Sequence, residues 1–178
     1  MDIEQFGRLI DRARGRAGDA ADVDGVAEQA TAILSAYEPR QIIAAQQILW
    51  DLMSASYRAP LWAAAYLVNG GCSDDGFDYF RGWLIAQGRT VFEQVMADAD
   101  RLADLPAVHA AAAGGDALEG EQILSIAWDA YETATGMELP SDAFTVDCPE
   151  LDPSWDFDFD DHDRIAPRLP RIAALCSD

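Results

Sequence analysis

Residues 61–89 read LWAAAYLVNGGCSDDGFDYFRGWLIAQGR, and this stretch decides the fold class of the chain. Residues 61–68 are apolar almost all round, which is typical of a central helix that is buried on most sides. Gly70 and Gly71 can adopt the left-handed conformation that ends a helix. Ser73 has the right chemistry to cap a second helix, and the acidic residues after it favour the positive end of the helix dipole. The stretch therefore predicts two consecutive helices joined by a short glycine-rich turn.

The sequence on both sides of this stretch continues the helical pattern, because apolar residues recur there at helical spacing. Gly7 lies inside the first helix and should cost about 1 kcal/mol relative to alanine. Residues 110–115 are small and predict a connector. The predicted helices cover residues 2–14, 22–37, 39–56, 61–68, 74–87, 90–96 and 118–135. We therefore predict an irregular all-α, multi-helix domain over residues 1–137.

The character of the sequence changes near its C-terminal end. Residues 142–163 contain nine acidic residues and no lysine or arginine. Residues 155–161 alternate apolar and acidic side chains, which predicts either a short edge strand or an extended segment that lays three aromatic rings on the helical body. These rings belong to Trp155, Phe157 and Phe159. We expect residues 138–178 to form an extended acidic arm that is packed on the helical domain or tethered to it.

The acidic run of the arm invites comparison with a calcium-binding EF-hand loop. Asp156, Asp158 and Asp160 take the first, third and fifth positions of such a loop. Asp161 stands where the loop requires glycine, and Pro167 stands where it requires glutamate. The pattern therefore excludes an EF-hand and leaves only weak, nonspecific cation binding open.

The charge of the chain limits its partners. Among 178 residues there are 32 acidic and 12 basic ones, all of the latter arginine, and the formal net charge is -20. A charge of this sign repels phosphate groups, so it disfavours nucleic acid and anionic membrane surfaces as direct partners. It suits a cationic ligand, a basic protein partner, a mimic of nucleic-acid charge, or simply a highly soluble protein.

Cysteine usage and the N-terminal sequence predict a compartment. Cys72, Cys148 and Cys176 are an odd set without paired spacing, so neither a disulfide framework nor a zinc site is indicated. The acidic N-terminus lacks the layout of a signal peptide. No apolar run approaches the roughly twenty residues that span a bilayer. We expect a reducing cytoplasm and no membrane partner.

Cys72, Asp74 and Asp78 form the first candidate site. The two carboxylates are four residues apart and share a helix face, so they could hold Mg²⁺, Mn²⁺ or Ca²⁺ or act in acid–base catalysis. Cys72 precedes a helix N-terminus, where the pKa of a thiol tends to fall, and His109 is a possible partner base. The alternative is structural: the carboxylates favour the helix dipole, Asp78 pairs with Arg81, and Cys72 is a small buried hydrophobe.

A second set of side chains suits ligand binding at the same turn. Arg58 and Arg81 flank the turn and could clamp a carboxylate or phosphate if both point at it. Trp62 and Tyr66 would form one wall, and backbone amides of the turn would form an anion nest. The candidate ligand-binding residues are Arg58, Trp62, Tyr66, Ser73, Arg81 and Trp83.

Three functions are compatible with these residues. The first is a cytoplasmic binding or accessory domain with a small-ligand or anion site over residues 70–83. The second is an enzyme that uses Asp74 and Asp78 in the same site, with a divalent cation as a possible cofactor. The third is an interaction protein whose acidic residues 142–163 neutralise a basic partner. The chain lacks the phosphate-binding, dinucleotide-binding and metalloprotease motifs that would narrow this choice.

Two stretches carry a resemblance to a known family. Residues 57–66, YRAPLWAAAY, and residues 70–85, GGCSDDGFDYFRGWLI, are similar to an uncharacterised bacterial family called domain of unknown function 4240, common in actinobacteria. The resemblance covers roughly residues 1–137. Relatives often carry tryptophan directly after the phenylalanine of the first helix, whereas this chain has Gly7 there, so no role of that tryptophan carries over. The resemblance implies residues to watch but no reaction.

Overall fold

The computed structural model describes residues 1–19 and 21–177, and this part of the chain is helical without any β-strand. The predicted all-α fold class is therefore confirmed. The ten α-helices of the described residues are α1 (Ile3–Arg16), α2 (Val23–Leu34), α3 (Pro39–Ser56), α4 (Ala59–Asn69), α5 (Asp74–Ala86), α6 (Arg89–Ala97), α7 (Pro106–Ala112), α8 (Ile126–Thr135), α9 (His162–Ile165) and α10 (Pro170–Leu175). Three 3₁₀ helices cover Ala99–Asp104, Glu121–Ser125 and Pro153–Trp155. None of the helices described is long and apolar enough to cross a membrane.

Local capping chemistry sets most helix boundaries close to where the sequence predicts them. Asp2 and Gln5 form a reciprocal capping box at the start of α1, and Asp22 caps α2. Pro39 opens α3, where its missing amide proton costs nothing. Gly70 ends α4 in the left-handed conformation, with φ of 66°.

The central helix α4 is buried on most sides, as predicted. The three alanines at 63–65 have no exposed surface, and α4 packs on α5, α7, α10 and the first 3₁₀ helix. Trp62 and Tyr66 are only half-buried, and because they lie four residues apart they share one helix face. One side of the central helix therefore presents two aromatic rings that its helical neighbours leave partly open.

Direct backbone contact fixes α5 against the segment that precedes the second 3₁₀ helix. The amide of Gly120 donates to the carbonyl of Tyr79 at 2.9 Å. A Cβ atom on Gly82 would lie 2.4 Å from the carbonyl oxygen of Gly120, so only glycine permits this approach. The side-chain oxygen of Asn69 accepts from the amide of Leu118 at 3.0 Å. These contacts hold α5, and with it the turn after α4, in one position.

Two predicted helix boundaries are wrong. Helix α7 includes residues 110–112, so only the second half of the connector predicted over residues 110–115 is non-helical. The helix predicted over residues 118–135 begins later, as a 3₁₀ turn followed by α8. The delay has a physical reason, because Gly120 packs on the backbone of α5 in a non-helical conformation.

The predicted extended arm is also wrong over its last part, where α9 and α10 form. Ile165, Leu169 and Ile172 recur at helical spacing and are buried in the core, so this segment gains more from a helical than from an extended backbone. The edge-strand alternative for residues 155–161 is wrong, since that segment begins at the end of a 3₁₀ helix and continues as turns, bends and irregular structure without a strand. The division of the chain into residues 1–137 and 138–178 stays a prediction.

The alternating pattern of the arm nevertheless has a physical counterpart. Trp155, Phe157 and Phe159 are half-buried and pack against the core cluster, whereas the acidic residues between them are exposed. The segment therefore turns its aromatic side toward the helical body and its carboxylates toward solvent. We refer to residues 138–177 as the C-terminal arm below.

Candidate functional site

Ordinary helix caps build the turn between α4 and α5. The amide of Gly71 donates to the carbonyl of Tyr66 at 2.8 Å, which closes the end of α4. The hydroxyl of Ser73 accepts from the amide of Gly76 at 3.1 Å, as the sequence predicts for an N-cap. Asp74 follows in the first turn of α5 and is exposed. The hydroxyl of Ser73 is therefore committed to the cap.

Arg81 lies inside the protein and is fully engaged there. Its guanidinium group donates to the carboxylate of Asp78 and to the carbonyl of Met53 in the last turn of α3. Its guanidinium carbon lies 4.8 Å from the ring centroid of Phe77 and 5.1 Å from that of Tyr57. The predicted pairing of Arg81 with Asp78 is confirmed. The side chain thus locks α5 onto α3, and it has little capacity left for a ligand.

Arg58 and Trp83 lie away from this turn. Arg58 is exposed and donates to the carbonyls of Ala55 and Met96, both at 3.1 Å, which joins the ends of α3 and α6. It therefore does not converge with Arg81 to form the predicted anion clamp. Trp83 is 3% exposed and belongs to the core, and it does not line the pocket that contains Trp62 and Tyr66.

The environment of Cys72 disfavours the thiolate, which is the nucleophilic form of its side chain. Burial, and secondarily the negative charge of Glu119, raise the pKa of this thiol to about 11, while Arg81 acts weakly in the other direction. The expected lowering of its pKa by the helix N-terminus is wrong because desolvation of the thiolate outweighs the dipole. The structural reading of Cys72 as a small, partly buried hydrophobe fits this environment.

The carboxylates of the predicted catalytic or metal site do not gather further ligands. Asp78 is paired with Arg81, and Asp74 is exposed beside it on the helix surface. Among residues 1–19 and 21–177, no three His, Cys, Asp or Glu side chains are grouped so that they could hold a metal ion. His109, the possible partner base, lies on a different segment from Asp74 and Asp78. Its Nε2 is 2.8 Å from the carbonyl oxygen of Ala103. Within the described residues, Asp74 and Asp78 are therefore not joined by the further ligands that a metal site requires.

Hydrogen bonds fasten the first part of the C-terminal arm to α3. The side chain of Gln47 accepts from the amide of Thr145 at 2.8 Å and donates to its carbonyl at 3.1 Å. The hydroxyl of Ser54 donates to the carbonyl of Asp147 at 2.7 Å. Because these hydrogen bonds are made to backbone groups of the arm, they fix its path along α3 largely independently of its side chains.

A buried carboxylate fastens the last part of the arm. Asp100 is 7% exposed, and its oxygens accept from the amide of Arg171 at 3.1 Å and from that of Ile172 at 3.0 Å. These are amides of the first turn of α10, which have no partner within the helix. The side chain of Arg171 also pairs with Asp104 and lowers the pKa of that carboxyl. The arm is therefore held at both of its ends.

Between these two anchors, the arm and α4 line an open pocket of about 490 Å³, which we call the arm pocket. Trp62 and Tyr66 line it from α4, and Trp155, Phe157 and Phe159 line it from the arm. The rings of Trp155 and Phe157 stack with centroids 5.8 Å apart, and Phe159 meets Tyr66 edge-on at 5.9 Å. The other lining residues are Ala59, Cys72, Leu151, Asp152, Pro153 and Asp156. The pocket is thus aromatic with an acidic component.

Six of the predicted site residues are divided between two pockets, whereas Arg58, Ser73 and Trp83 line neither of them. Asp74, Asp78 and Arg81 line a second one of about 340 Å³, bordered by residues 146–149 of the arm. The predicted aromatic wall and Cys72 line the arm pocket instead. Sequence reasoning missed that the arm supplies the opposite wall. The alternation of apolar and acidic residues in the arm indicated an aromatic side that packs on the helical body. No local sequence pattern, however, shows that this side packs on α4.

Residues 1–133 match the family described as "Protein of unknown function (DUF4240)", so the chain belongs to this family. No curated protein and no solved structure matches the chain. The matched residues include Trp62 and Tyr66, whereas the C-terminal arm lies outside them. The arm pocket therefore combines one wall from the family match with one wall from beyond it.

Proposed function

We propose that this DUF4240 protein is a small-molecule-binding domain whose ligand occupies the arm pocket. The observation that carries the proposal is the convergence of five aromatic rings, two from the central helix and three from the arm, on one pocket. Its volume of about 490 Å³ falls within the range of roughly 300–1,000 Å³ that is usual for small-molecule sites. Aromatic walls with a few polar groups are also typical of such sites.

The half-buried state of these rings supports the same proposal. Trp62, Tyr66, Trp155, Phe157 and Phe159 all keep part of their surface in contact with solvent. A ligand that fills the pocket would remove apolar surface from water, which is the main favourable term in binding. We place the site here rather than at the 70–83 turn, where Arg81 is already engaged. A cytoplasmic location belongs to this proposal.

The test uses two variants of the full chain that differ in where an aromatic ring is removed from the arm. Trp155→Ala removes a ring from the pocket wall. Phe144→Ala removes a half-buried arm ring that packs edge-on against Trp128 at 5.9 Å, outside the pocket. Wild type and both variants are screened against a small-molecule fragment library by thermal shift, and hits are titrated by calorimetry.

We expect a set of fragments that stabilise the wild type and Phe144→Ala but not Trp155→Ala. Such a pattern would locate binding at the pocket wall, because both variants lose one ring of the same arm. A library without a single Trp155-dependent hit would contradict the proposal. So would hits that both variants weaken equally, since these would report a general loosening of the arm.

The outer side of the arm favours a second candidate function, binding of a basic protein partner. Asp158 and Asp163 are exposed and lie outside the pocket lining, in a protein with a net charge of -20. Binding of an arginine-rich peptide should then weaken steeply with salt and fall further in Asp158→Asn/Asp163→Asn. Salt-independent binding, or no loss in this variant, would argue against a charge-based partner.

A further inference from the structure

We infer that the ligand of the arm pocket is an organic cation that carries an alkylammonium or guanidinium group. This inference rests on the proposed function, because it assigns a chemical class to the ligand of that same pocket. Three features carry it: the charge of the groups that line the pocket, the cations that the same rings already bind, and the engagement of the buried Arg81 guanidinium elsewhere.

The charged side chains that line the pocket are carboxylates. Asp152 and Asp156 line it, and the described lining residues include no arginine or histidine. Hydrogen bonds from Ser154 lower the pKa of Asp152, so this group stays ionised at neutral pH. Asp160 lies at the edge of the same wall, where Tyr66 donates to it. The lining carboxylates would repel an anionic ligand and attract a cation.

The aromatic rings of the pocket already bind cations of the chain itself. The guanidinium carbon of Arg164 lies 4.1 Å from the ring centroid of Phe157. That of Arg168 lies 5.1 Å from the centroid of Phe157 and 5.4 Å from that of Trp155. All three distances are within the roughly 6 Å over which a cation is attracted to an aromatic face. Neither arginine is among the lining residues, and no described cation lies over Trp62, Tyr66 or Phe159, so these three rings carry no cation of the chain itself.

The nearest buried guanidinium cannot recruit an anion to this place. Arg81 affects the pKa of Cys72, a lining residue, but its donors are bonded to Met53 and Asp78. The arm pocket is therefore an open pocket lined by aromatic rings and carboxylates. Such a combination of rings and carboxylates selects quaternary and alkylated ammonium ions, because these carry positive charge on an apolar body.

The test compares two probes of nearly the same shape but different charge. Choline carries a trimethylammonium group, and 3,3-dimethyl-1-butanol is its neutral isostere. Both are titrated into the full chain, with binding followed by nuclear magnetic resonance of the indole N–H groups. We expect millimolar or tighter binding of choline and at least tenfold weaker binding of the neutral alcohol. L-argininamide serves as the guanidinium probe and should compete with choline.

Matched carboxylate variants separate local charge from the overall field of the protein. Asp156→Asn removes a charge that lines the pocket, and Asp142→Asn removes an exposed charge from the same arm outside the pocket lining. Both change the net charge by one unit. We expect Asp156→Asn to weaken choline binding at least threefold and Asp142→Asn to leave it nearly unchanged.

The possible failures are distinguishable. Equal binding of choline and its neutral isostere, no binding of choline, or equal losses in the two carboxylate variants would overturn the cation assignment. If neutral or anionic fragments still bind in a Trp155-dependent manner, the proposed pocket stands and only its ligand class is wrong. If no compound of any charge shows Trp155-dependent binding, the proposed function fails together with the inference.

Discussion

The hydroxyl of Tyr66 in α4 donates a hydrogen bond of 2.9 Å to the carboxylate of Asp160, which lies 94 residues later in the chain. This contact and the edge-on packing of Tyr66 on Phe159 join the arm to the central helix at one end of the arm pocket. The hydrogen bond also raises the pKa of Tyr66 above its ordinary value, because the neighbouring carboxylates oppose ionisation. At neutral pH the Tyr66 hydroxyl therefore keeps its proton, and its hydrogen bond to Asp160 holds the arm in position.

Removing the Tyr66 hydroxyl should loosen the arm without unfolding the domain. Tyr66→Phe keeps the ring against Phe159 but loses the bond to Asp160. Cleavage by trypsin after Arg164 and Arg168, followed by mass spectrometry, should accelerate roughly two- to fivefold because local opening becomes easier. Tyr79→Phe, which removes a hydroxyl beside Glu121 on the helical body, is the control and should leave these rates unchanged. Equal rates in wild type and Tyr66→Phe would show that the contact does not hold the arm.

Cys72 should be unreactive at neutral pH. Burial raises the pKa of its thiol from 9.0 to about 11, so at pH 8 roughly one thiol in a thousand is ionised. Iodoacetamide at pH 8 should therefore modify Cys72 at least tenfold more slowly than the exposed Cys148, as measured by mass spectrometry of tryptic peptides. In urea, Cys72 and Cys148 should react with iodoacetamide at similar rates, which is the control for their intrinsic reactivity. Comparable rates in the folded protein would contradict the buried, protonated thiol.

The same shift in the pKa of Cys72 fixes the sign of a pH dependence. Because the pKa is higher in the folded than in the unfolded chain, the folded state holds the proton more tightly. This contribution to stability is complete below pH 9 and is lost as the pH rises through 11. Urea unfolding of wild type and Cys72→Ala between pH 8 and 11 should show a steeper loss for the wild type. Parallel curves would mean that the thiol does not titrate with folding.

The sequence predicts those parts of the fold and site that depend on neighbours in the chain. Capping at Ser73 and the pairing of Asp78 with Arg81 each join residues three apart, so residue type and spacing decide them. The bond from Arg81 to Met53 needs the packing of α5 on α3, which no local pattern encodes.

The C-terminal helices also could not be predicted from local sequence alone. Ile165, Leu169 and Ile172 carry a helical pattern, but a segment this short does not form a stable helix alone. Its first amides are bonded to Asp100, about seventy residues earlier in the chain. The predicted extended conformation of the arm is wrong there because Asp100, which stabilises the start of α10, is remote in sequence.

Arg81 should behave as a structural residue. Arg81→Ala leaves Asp78 without its partner and removes a donor from the carbonyl of Met53, so we expect a loss of about 2–3 kcal/mol in the free energy of unfolding, measured with urea. Asp78→Asn should cost less, because its carboxylate is partly exposed. Arg8→Ala breaks an exposed pair with Glu4 and should leave the unfolding midpoint nearly unchanged. An Arg81→Ala protein as stable as Arg8→Ala would free Arg81 for a ligand role.

Gly82 should not tolerate even alanine, although alanine favours helices. The added Cβ would lie 2.4 Å from the carbonyl oxygen of Gly120, and backbone atoms cannot easily move aside. We expect Gly82→Ala to destabilise the protein by about 1–3 kcal/mol in urea unfolding. Gly15→Ala is the matched control, because no atom lies within 4 Å of its Cβ position in α1. It should be neutral or stabilise by up to about 1 kcal/mol, and equal effects of the two changes would contradict the close approach.

Asp100 should control the docking of α10 through the backbone rather than through side-chain charge. Its buried carboxylate accepts from the amides of Arg171 and Ile172, so Asp100→Ala leaves two donors of the helix start without partners. We expect a loss of about 2–3 kcal/mol in stability and faster hydrogen exchange of the α10 amides, measured by mass spectrometry. Asp104→Asn removes only the exposed ion pair with Arg171 and is the control. Because that pair leaves the backbone amides untouched, their exchange should not change in Asp104→Asn. Equal exchange rates in the two variants would place the anchor of the arm in the ion pair instead of in the buried cap.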